Sequence, residues 1–290
     1  MASAPQIDPS LRIGSVRLAV ADLARSVEFY ERVLGLPLIS RDHDRALLGV
    51  DRESPALELI AIADPSPVSP HDTGLFHVAW LHPSRAALAA TVQRIVRGGW
   101  VIGGASDHGV SEALYLSDPD GLGIEIYADR PRERWPRPAD GHGVKMVTLP
   151  LDLDDLMAQA PEQAQDAIAS GTSVGHVHLK VSDVPRALAF YRDALGLNEQ
   201  AQLPSAAFLS AGGYHHHVGL NSWQSRGASA PPDSAPGLRN IGFELGGADA
   251  LAALRRDLAD APDGMVAAQA DDGHLSVSDP DGNRLTFVAP

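Results

Sequence analysis

"GSVRLAVADLARSVEFYERVLGL", Gly14 to Leu36, returns without a gap as "GHVHLKVSDVPRALAFYRDALGL", Gly175 to Leu197. Eleven of the 23 positions are identical, at an offset of 161 residues. "SDPDG" recurs at the same offset, at Ser117–Gly121 and Ser278–Gly282. Self-similarity at a fixed period marks repeated supersecondary units. The 290-residue chain therefore reads as two homologous halves, 10–129 and 173–289, joined by a linker over 130–172.

Each half runs through the same order of elements. Alternation in "SVRLAV" predicts a strand. Asp22 and Asp183 stand where a helix N-cap belongs. "LARSVEFYERVLG" carries apolar residues at helical spacing and stops at Gly35, a C-cap signal. Short strands follow: "RALLGV" and "ALELIAI" in the first half, "AAFLSA" and "HHVGLNSW" in the second. The pattern then restarts. "LFHVAWL" is a strand, "PSRAALAATVQRIVRGG" a helix, and "ALYLSDPDGLGIEIYAD" a hairpin turning on Pro119, Asp120 and Gly121. "RNIGFEL", "ADALAALRRDLADA" and "LSVSDPDGNRLTFVA" repeat that order in the second half. The expected fold class is α+β, with four βαβββ modules. The linker begins rich in proline and arginine, and "DLDDLMAQA" within it predicts one short helix. A connection of that length is expected to pack along the surface.

Composition narrows the function. Hydrophobic residues make up 44% and charged residues 21%, as in soluble globular proteins. The formal net charge of −14 repels phosphate backbones and acidic lipid, which argues against nucleic acid or membrane as partners. No apolar run reaches the length of a membrane span, and "MASAPQIDPSLRIG" has no signal-peptide core. The absence of cysteine excludes disulfides, thiolate metal sites and thiol nucleophiles. A cytoplasmic protein is expected, and any metal must be held by histidine and carboxylate.

At "LKVSDVPRALAFYRDALGL" and "YLSDPDGLGIEIY" the chain resembles the vicinal oxygen chelate superfamily, across both halves. Its members include glyoxalase I, fosfomycin-resistance thiol transferases, bleomycin-binding proteins and type I extradiol ring-cleaving dioxygenases. The resemblance implies that modules pair into half-open barrels, with metal ligands on the first and last strands of each pair. The first-strand ligand precedes the helix-opening aspartate by seven residues. That position is His176 in module 3 and Ser15 in module 1; the matching strands offer His77 in module 2 and Asn240 in module 4. The last-strand position falls on Glu125 in module 2 and Thr286 in module 4. In modules 3 and 1 it is expected at His217 and Glu58.

Modules 2 and 3 thus carry His77, Glu125, His176 and His217. Ser15, Glu58, Asn240 and Thr286 cannot make a strong transition-metal site. This asymmetry predicts that module 2 pairs with module 3, and module 1 with module 4. The pairing usual in two-domain extradiol enzymes, 1 with 2 and 3 with 4, would split the ligands. Two imidazoles and one carboxylate form a facial triad with open positions, which suits non-haem Fe(II), with Mn(II) the other metal considered.

In extradiol dioxygenases a substrate-binding tyrosine precedes the ligand glutamate by ten residues, and Tyr115 precedes Glu125 by ten. A histidine lies a few residues upstream of that tyrosine; here it is His108. Those enzymes also carry paired histidines, which "HHHVGLN" matches, with His217 best placed and His216 next. Extradiol cleavage needs a base for the second catechol proton, a donor for the developing oxygen charge and an acid for O–O cleavage. The resemblance assigns these roles to His217, Tyr115 and His108. His215 and His178 read as bland, with pocket lining the other reading for His178, two residues after His176 on the same strand face; Trp80 and Trp223 read as barrel core. The ordering is most similar to the Bacillus-type catechol 2,3-dioxygenases, which implies an aromatic diol and O2 as substrates. Pairing of sheet edges into a homo-oligomer is expected of this fold. Two alternatives stay open. One is a glyoxalase-type isomerase or lyase with His217 as fourth ligand. The other is a metal-free binding or resistance protein.

Overall fold

The computed structural model describes residues 5–259, 268–271 and 273–289. Module 1 contains β1 (Arg12–Val20), α1 (Leu23–Arg32), β2 (Leu38–Arg41), β3 (Arg45–Gly49) and β4 (Pro55–Ala61). Module 2 contains β5 (Gly74–His82), α2 (Arg85–Arg97), β6 (Gly104–Asp107), β7 (Ser111–Ser117) and β8 (Gly123–Asp129). The linker holds a 3-10 turn (Arg132–Arg134) and the short helix α3 (Leu153–Met157). Module 3 follows with β9 (Ser173–Lys180), α4 (Val184–Ala189), β10 (Asn198–Leu203), β11 (Ala206–Ser210) and β12 (Val218–Asn221). In this module α4 widens into a π-helical turn over Phe190–Ala194. Module 4 comprises β13 (Gly237–Glu244), α5 (Ala248–Ala259), β14 (Ala268–Asp271), β15 (His274–Ser278) and β16 (Arg284–Val288). The last two residues of the helix expected there, 260 and 261, lie outside the described residues.

The βαβββ order is that read from the sequence, and the caps form as expected. Asp22 accepts the Arg25 amide at 3.0 Å and Asp183 the Arg186 amide at 2.8 Å. Gly35 follows α1 at φ 77°. A side chain there would be strained, and its Cβ would lie 2.7 Å from the Ile168 amide nitrogen.

The strands form two eight-stranded sheets. One runs β14-β15-β16-β13-β1-β4-β3-β2, the other β10-β11-β12-β9-β5-β8-β7-β6. Modules 1 and 4 therefore share the first sheet, and modules 2 and 3 the second. The central seams are antiparallel, β1 with β13 and β5 with β9. This is the cross-half pairing that the ligand asymmetry predicts.

The repeated signatures hold each half together. Asp118 closes its turn by accepting the amides of Asp120 at 2.9 Å and Leu122 at 2.8 Å. It also accepts the hydroxyl of Tyr30, from the helix of module 1, at 3.2 Å. Asp279 does the same with the amides of Asp281 and Asn283 and the hydroxyl of Tyr191, at 2.9, 2.8 and 3.0 Å. Tyr30 and Tyr191 are fully buried among apolar residues, so an unpaired hydroxyl there would cost about 1–3 kcal/mol. The "FY" and "SDPDG" motifs recur together because each is the other's partner. Turns thus link modules within a half, while sheets link modules across halves. Among the described residues no helix is long and apolar enough to cross a membrane.

Candidate metal centre

Strand register brings three donors together at the β5–β9 seam. His77 stands opposite His178, and Ala79 opposite His176. On the other side of β5, the parallel strand β8 places Glu125 opposite Ala79. His77 Nε2 lies 3.0 Å from Glu125 Oε2, and His176 Nε2 lies 3.3 Å from it. The two Nε2 atoms are 3.3 Å apart. All three residues are buried, and they are the one group of three such donors among the described residues.

This triangle fits a divalent cation. Ligand atoms at about 2.0–2.2 Å from one ion lie roughly 3 Å from one another. No arginine or lysine pairs with Glu125 among the described residues, and a buried carboxylate needs a compensating charge. Burial works to raise the Glu125 carboxyl, but His176 and His77 outweigh it and hold it well below its ordinary value. Burial pushes His176 down to about 4, so this imidazole is neutral and free to coordinate near neutral pH.

The fourth strand position holds no ligand. In module 3 the residue opposite His178 on β12 is Gly219, as Glu125 is opposite Ala79 in module 2. The expectation that His217 occupies this position is therefore corrected by two residues. A Cβ on Gly219 would sit 2.8 Å from Cγ of the His178 ring. That ring is held by the amide of Asn221 at 3.1 Å, so it cannot swing aside freely. Gly219→Ala is expected to lower unfolding free energy by about 1–3 kcal/mol, the usual cost of overpacking, as read by denaturant unfolding.

The other sheet satisfies its equivalent residues internally. Glu58, opposite Arg17, pairs with Arg17 at 2.6 Å and Arg45 at 3.5 Å. The Thr286 hydroxyl donates to Asn240 Oδ1 at 2.8 Å. Among the described residues those contacts leave no second set of three such donors around a common point.

A cavity of about 380 Å³ opens onto the triad. Phe76, His178, Phe208 and Trp223 form its aromatic wall. Trp80 is core, as expected, but Trp223 is 51% exposed and packs on Phe76 at the wall. Met146, Val147 and Thr148 of the linker line the cavity too, so this segment does more than cover the surface. A larger cavity, about 540 Å³, is lined from both sheets by Arg17, Leu75, Lys180 and Leu238 and includes none of the triad.

Tyr115 stands opposite Glu125 on β7, and its side chain reaches the cavity. The linker fixes its partner. The Val147 carbonyl can only accept, so His108 Nδ1 carries the hydrogen that bridges their 2.7 Å. His108 Nε2 lies 2.6 Å from the Tyr115 hydroxyl, within hydrogen-bond reach. Burial, with Glu125 close by, raises the Tyr115 pKa well above that of free tyrosine and keeps it a phenol.

The histidine triplet precedes β12, in an irregular turn entered through Gly212 and Gly213 at φ 58° and 66°. Strand alternation does not extend to it. His216, not His217, lines the cavity, with its ring centroid 4.0 Å from that of His176. His217 instead lines a separate cavity of about 190 Å³ beside Tyr214 and Arg132, where its Nδ1 accepts the Ala211 amide at 3.2 Å. Burial, with His215 and His176 near, pushes the His217 imidazole down to about 3. His215 is fully buried between His216 and Asp129. Asp129 and Gly219 escape a reading by motif. Glycine in a strand, which marks a close approach, is the one signal that points to Gly219.

Comparison with known proteins agrees with this architecture. The family model described as the glyoxalase/bleomycin resistance protein/dioxygenase superfamily matches residues 12–126 and 173–287. The chain is 42% identical over 237 residues to a Bacillus subtilis (strain 168) protein named catechol-2,3-dioxygenase, covering 80% of this chain and 82% of that one. A candidate dioxygenase structure from the same species superimposes with a TM-score of 0.65 at 13% identity, over 98% of this chain and 86% of that one. Glyoxalase I from Zea mays gives a TM-score of 0.56 at 18% identity, over 97% and 92%. At such identities the two structures speak to fold alone, whereas the family model spans most of both halves. The chain belongs to the glyoxalase/bleomycin resistance protein/dioxygenase superfamily.

Proposed function

We propose that this protein is an extradiol ring-cleaving dioxygenase acting on an uncharged catechol with O2. His77, Glu125 and His176 hold its non-haem Fe(II). One observation carries the reading: three donors converge on one point while the fourth strand position is Gly219. A facial triad with open positions suits ferrous oxygenases. The glyoxalase pattern carries a glutamate where this chain has glycine. The 42% identity to a protein named catechol-2,3-dioxygenase supports the same choice.

Ferrous iron supplies the one-electron chemistry with O2 that side chains lack. The chain's own residues bind and move protons. His216 faces the cavity beside His176 and takes the base role that the sequence assigns to His217. Tyr115, bonded to His108 at 2.6 Å and lining the cavity, is placed to share a hydrogen bond with a ring hydroxyl. Phe76, Phe208 and Trp223 offer faces and edges for an aromatic ring.

Among the described residues no lysine or arginine lines this cavity. A catechol with a ring carboxylate would bury its charge unpaired. An alkyl catechol is expected to exceed such an acid by about tenfold or more in kcat/KM, a gap of roughly 1.4 kcal/mol. Anaerobic Fe(II) loading followed by a substituted-catechol panel in air tests the reading. It expects a yellow ring-fission product with one O2 consumed per catechol. Metal uptake without O2 consumption points to the isomerase class, and failure to take up metal points to a binding protein.

A further inference from the structure

We infer that Asp129 and His215 act as positioning residues that fix the tautomer of His216, keeping the lone pair of its Nε2 on the cavity side. His215 Nε2 lies 2.9 Å from Asp129 Oδ1, and His215 Nδ1 lies 2.8 Å from His216 Nδ1. A carboxylate only accepts, so the hydrogen between Asp129 and His215 sits on His215 Nε2. In the inferred arrangement both buried rings are neutral, so His215 Nδ1 is an acceptor and the hydrogen between the two rings sits on His216 Nδ1; an extra proton on His215 would reverse it. That leaves His216 Nε2 as the bare nitrogen, and it has no hydrogen-bond partner among the described residues.

The surroundings hold this chain of contacts in place. His215 is fully buried, with its ring against Tyr214 at 4.1 Å, Trp135 at 5.3 Å and Tyr127 at 6.0 Å. Asp129 also accepts the Tyr214 hydroxyl at 3.3 Å, and the Tyr214 and Tyr127 hydroxyls are bonded to each other at 2.7 Å. Asp129 ends β8, the strand that carries Glu125, so one strand delivers both the metal carboxylate and the carboxylate of the brace. Hydrolytic triads use the same device, in which an aspartate sets the imidazole tautomer without itself taking the proton. The middle residue of the histidine triplet is thus the one that reaches the cavity, and its neighbour His215 connects it to Asp129.

The consequence for catalysis rests on the dioxygenase reading; the tautomer itself does not. Nitrogen-15 NMR of the metal-free protein is expected to show His216 protonated at Nδ1 and bare at Nε2. His215→Phe is expected to abolish that preference. A wild-type His216 protonated at Nε2 overturns the inference, whether or not the protein cleaves catechols. In the iron-loaded enzyme, Asp129→Ala is expected to lower kcat about tenfold or more, with KM and iron content within about twofold of wild type. On a His216→Gln background the same substitution is expected to add no further loss. Losses that multiply across the two backgrounds show that Asp129 acts on stability alone, and they overturn it too. If the wild type lacks ring cleavage, the function proposed above fails while the NMR result still decides this inference.

Discussion

His77→Ala is expected to abolish iron binding and ring cleavage together, while Ser15→Ala leaves both at the wild-type level. His77 and His176 supply the two imidazoles of the triangle, and the remaining strand position, Gly219, offers no further donor. Losing a hydrogen-bond partner of a metal ligand already costs about 10–100-fold in affinity or activity, so losing the ligand itself costs more than about 100-fold. Without a metal, Glu125 would also stay buried with a single imidazole beside it, so the variant needs a thermal-unfolding control. Ser15 is the matching residue of the other sheet, whose neighbours Asn240 and Thr286 bond to each other instead of to an ion. Iron per chain and O2 uptake measure the outcome. Equal effects of the two substitutions would place the metal elsewhere.

Much of this architecture was readable from residue spacing. The seven-residue step that the family resemblance implies runs back from the helix-capping Asp183 to His176. The same resemblance, applied to the matching strands of module 2, gives His77 and Glu125, and regular strands keep those positions in register. The cross-half pairing followed from chemistry: only modules 2 and 3 offer nitrogen and carboxylate donors together. Readability ended where periodicity ends. The turn through Gly212 and Gly213 rotates the triplet, so alternation counted back from β12 misplaces His217. The linker has no period at all. Nothing in "GVKMVTLP" announces that the Val147 carbonyl sets the tautomer of His108 or that Met146 lines the cavity. The Asp129–His215 pair joins residues 86 apart, one at a strand end and one in a turn. No motif links the two residues, and only the folded sheet brings them together.

The two neighbouring histidines separate these levels experimentally. His216→Gln is expected to retain one iron per chain and to lower kcat by about 10²–10⁴-fold, the range of a lost general base. His217→Gln is expected to stay within about fivefold of wild type in kcat and iron content. The contrast follows from their surroundings. His216 lines the catalytic cavity and lies against His176, whereas His217 sits in the smaller cavity with its Nδ1 occupied by the Ala211 amide. Burial lowers both imidazoles, His217 to about 3 and His216 well below its ordinary value, so position and not basicity separates the two. Glutamine keeps an amide able to accept the Ala211 hydrogen, which spares the fold in that variant. It cannot serve as a base in the other, because a carboxamide does not take up a proton at neutral pH. Iron lost from His216→Gln would make His216 a ligand and open the glyoxalase class again. Activity lost from His217→Gln with iron retained would mean that the ring rotates into the cavity when substrate binds, and would return the base role to His217.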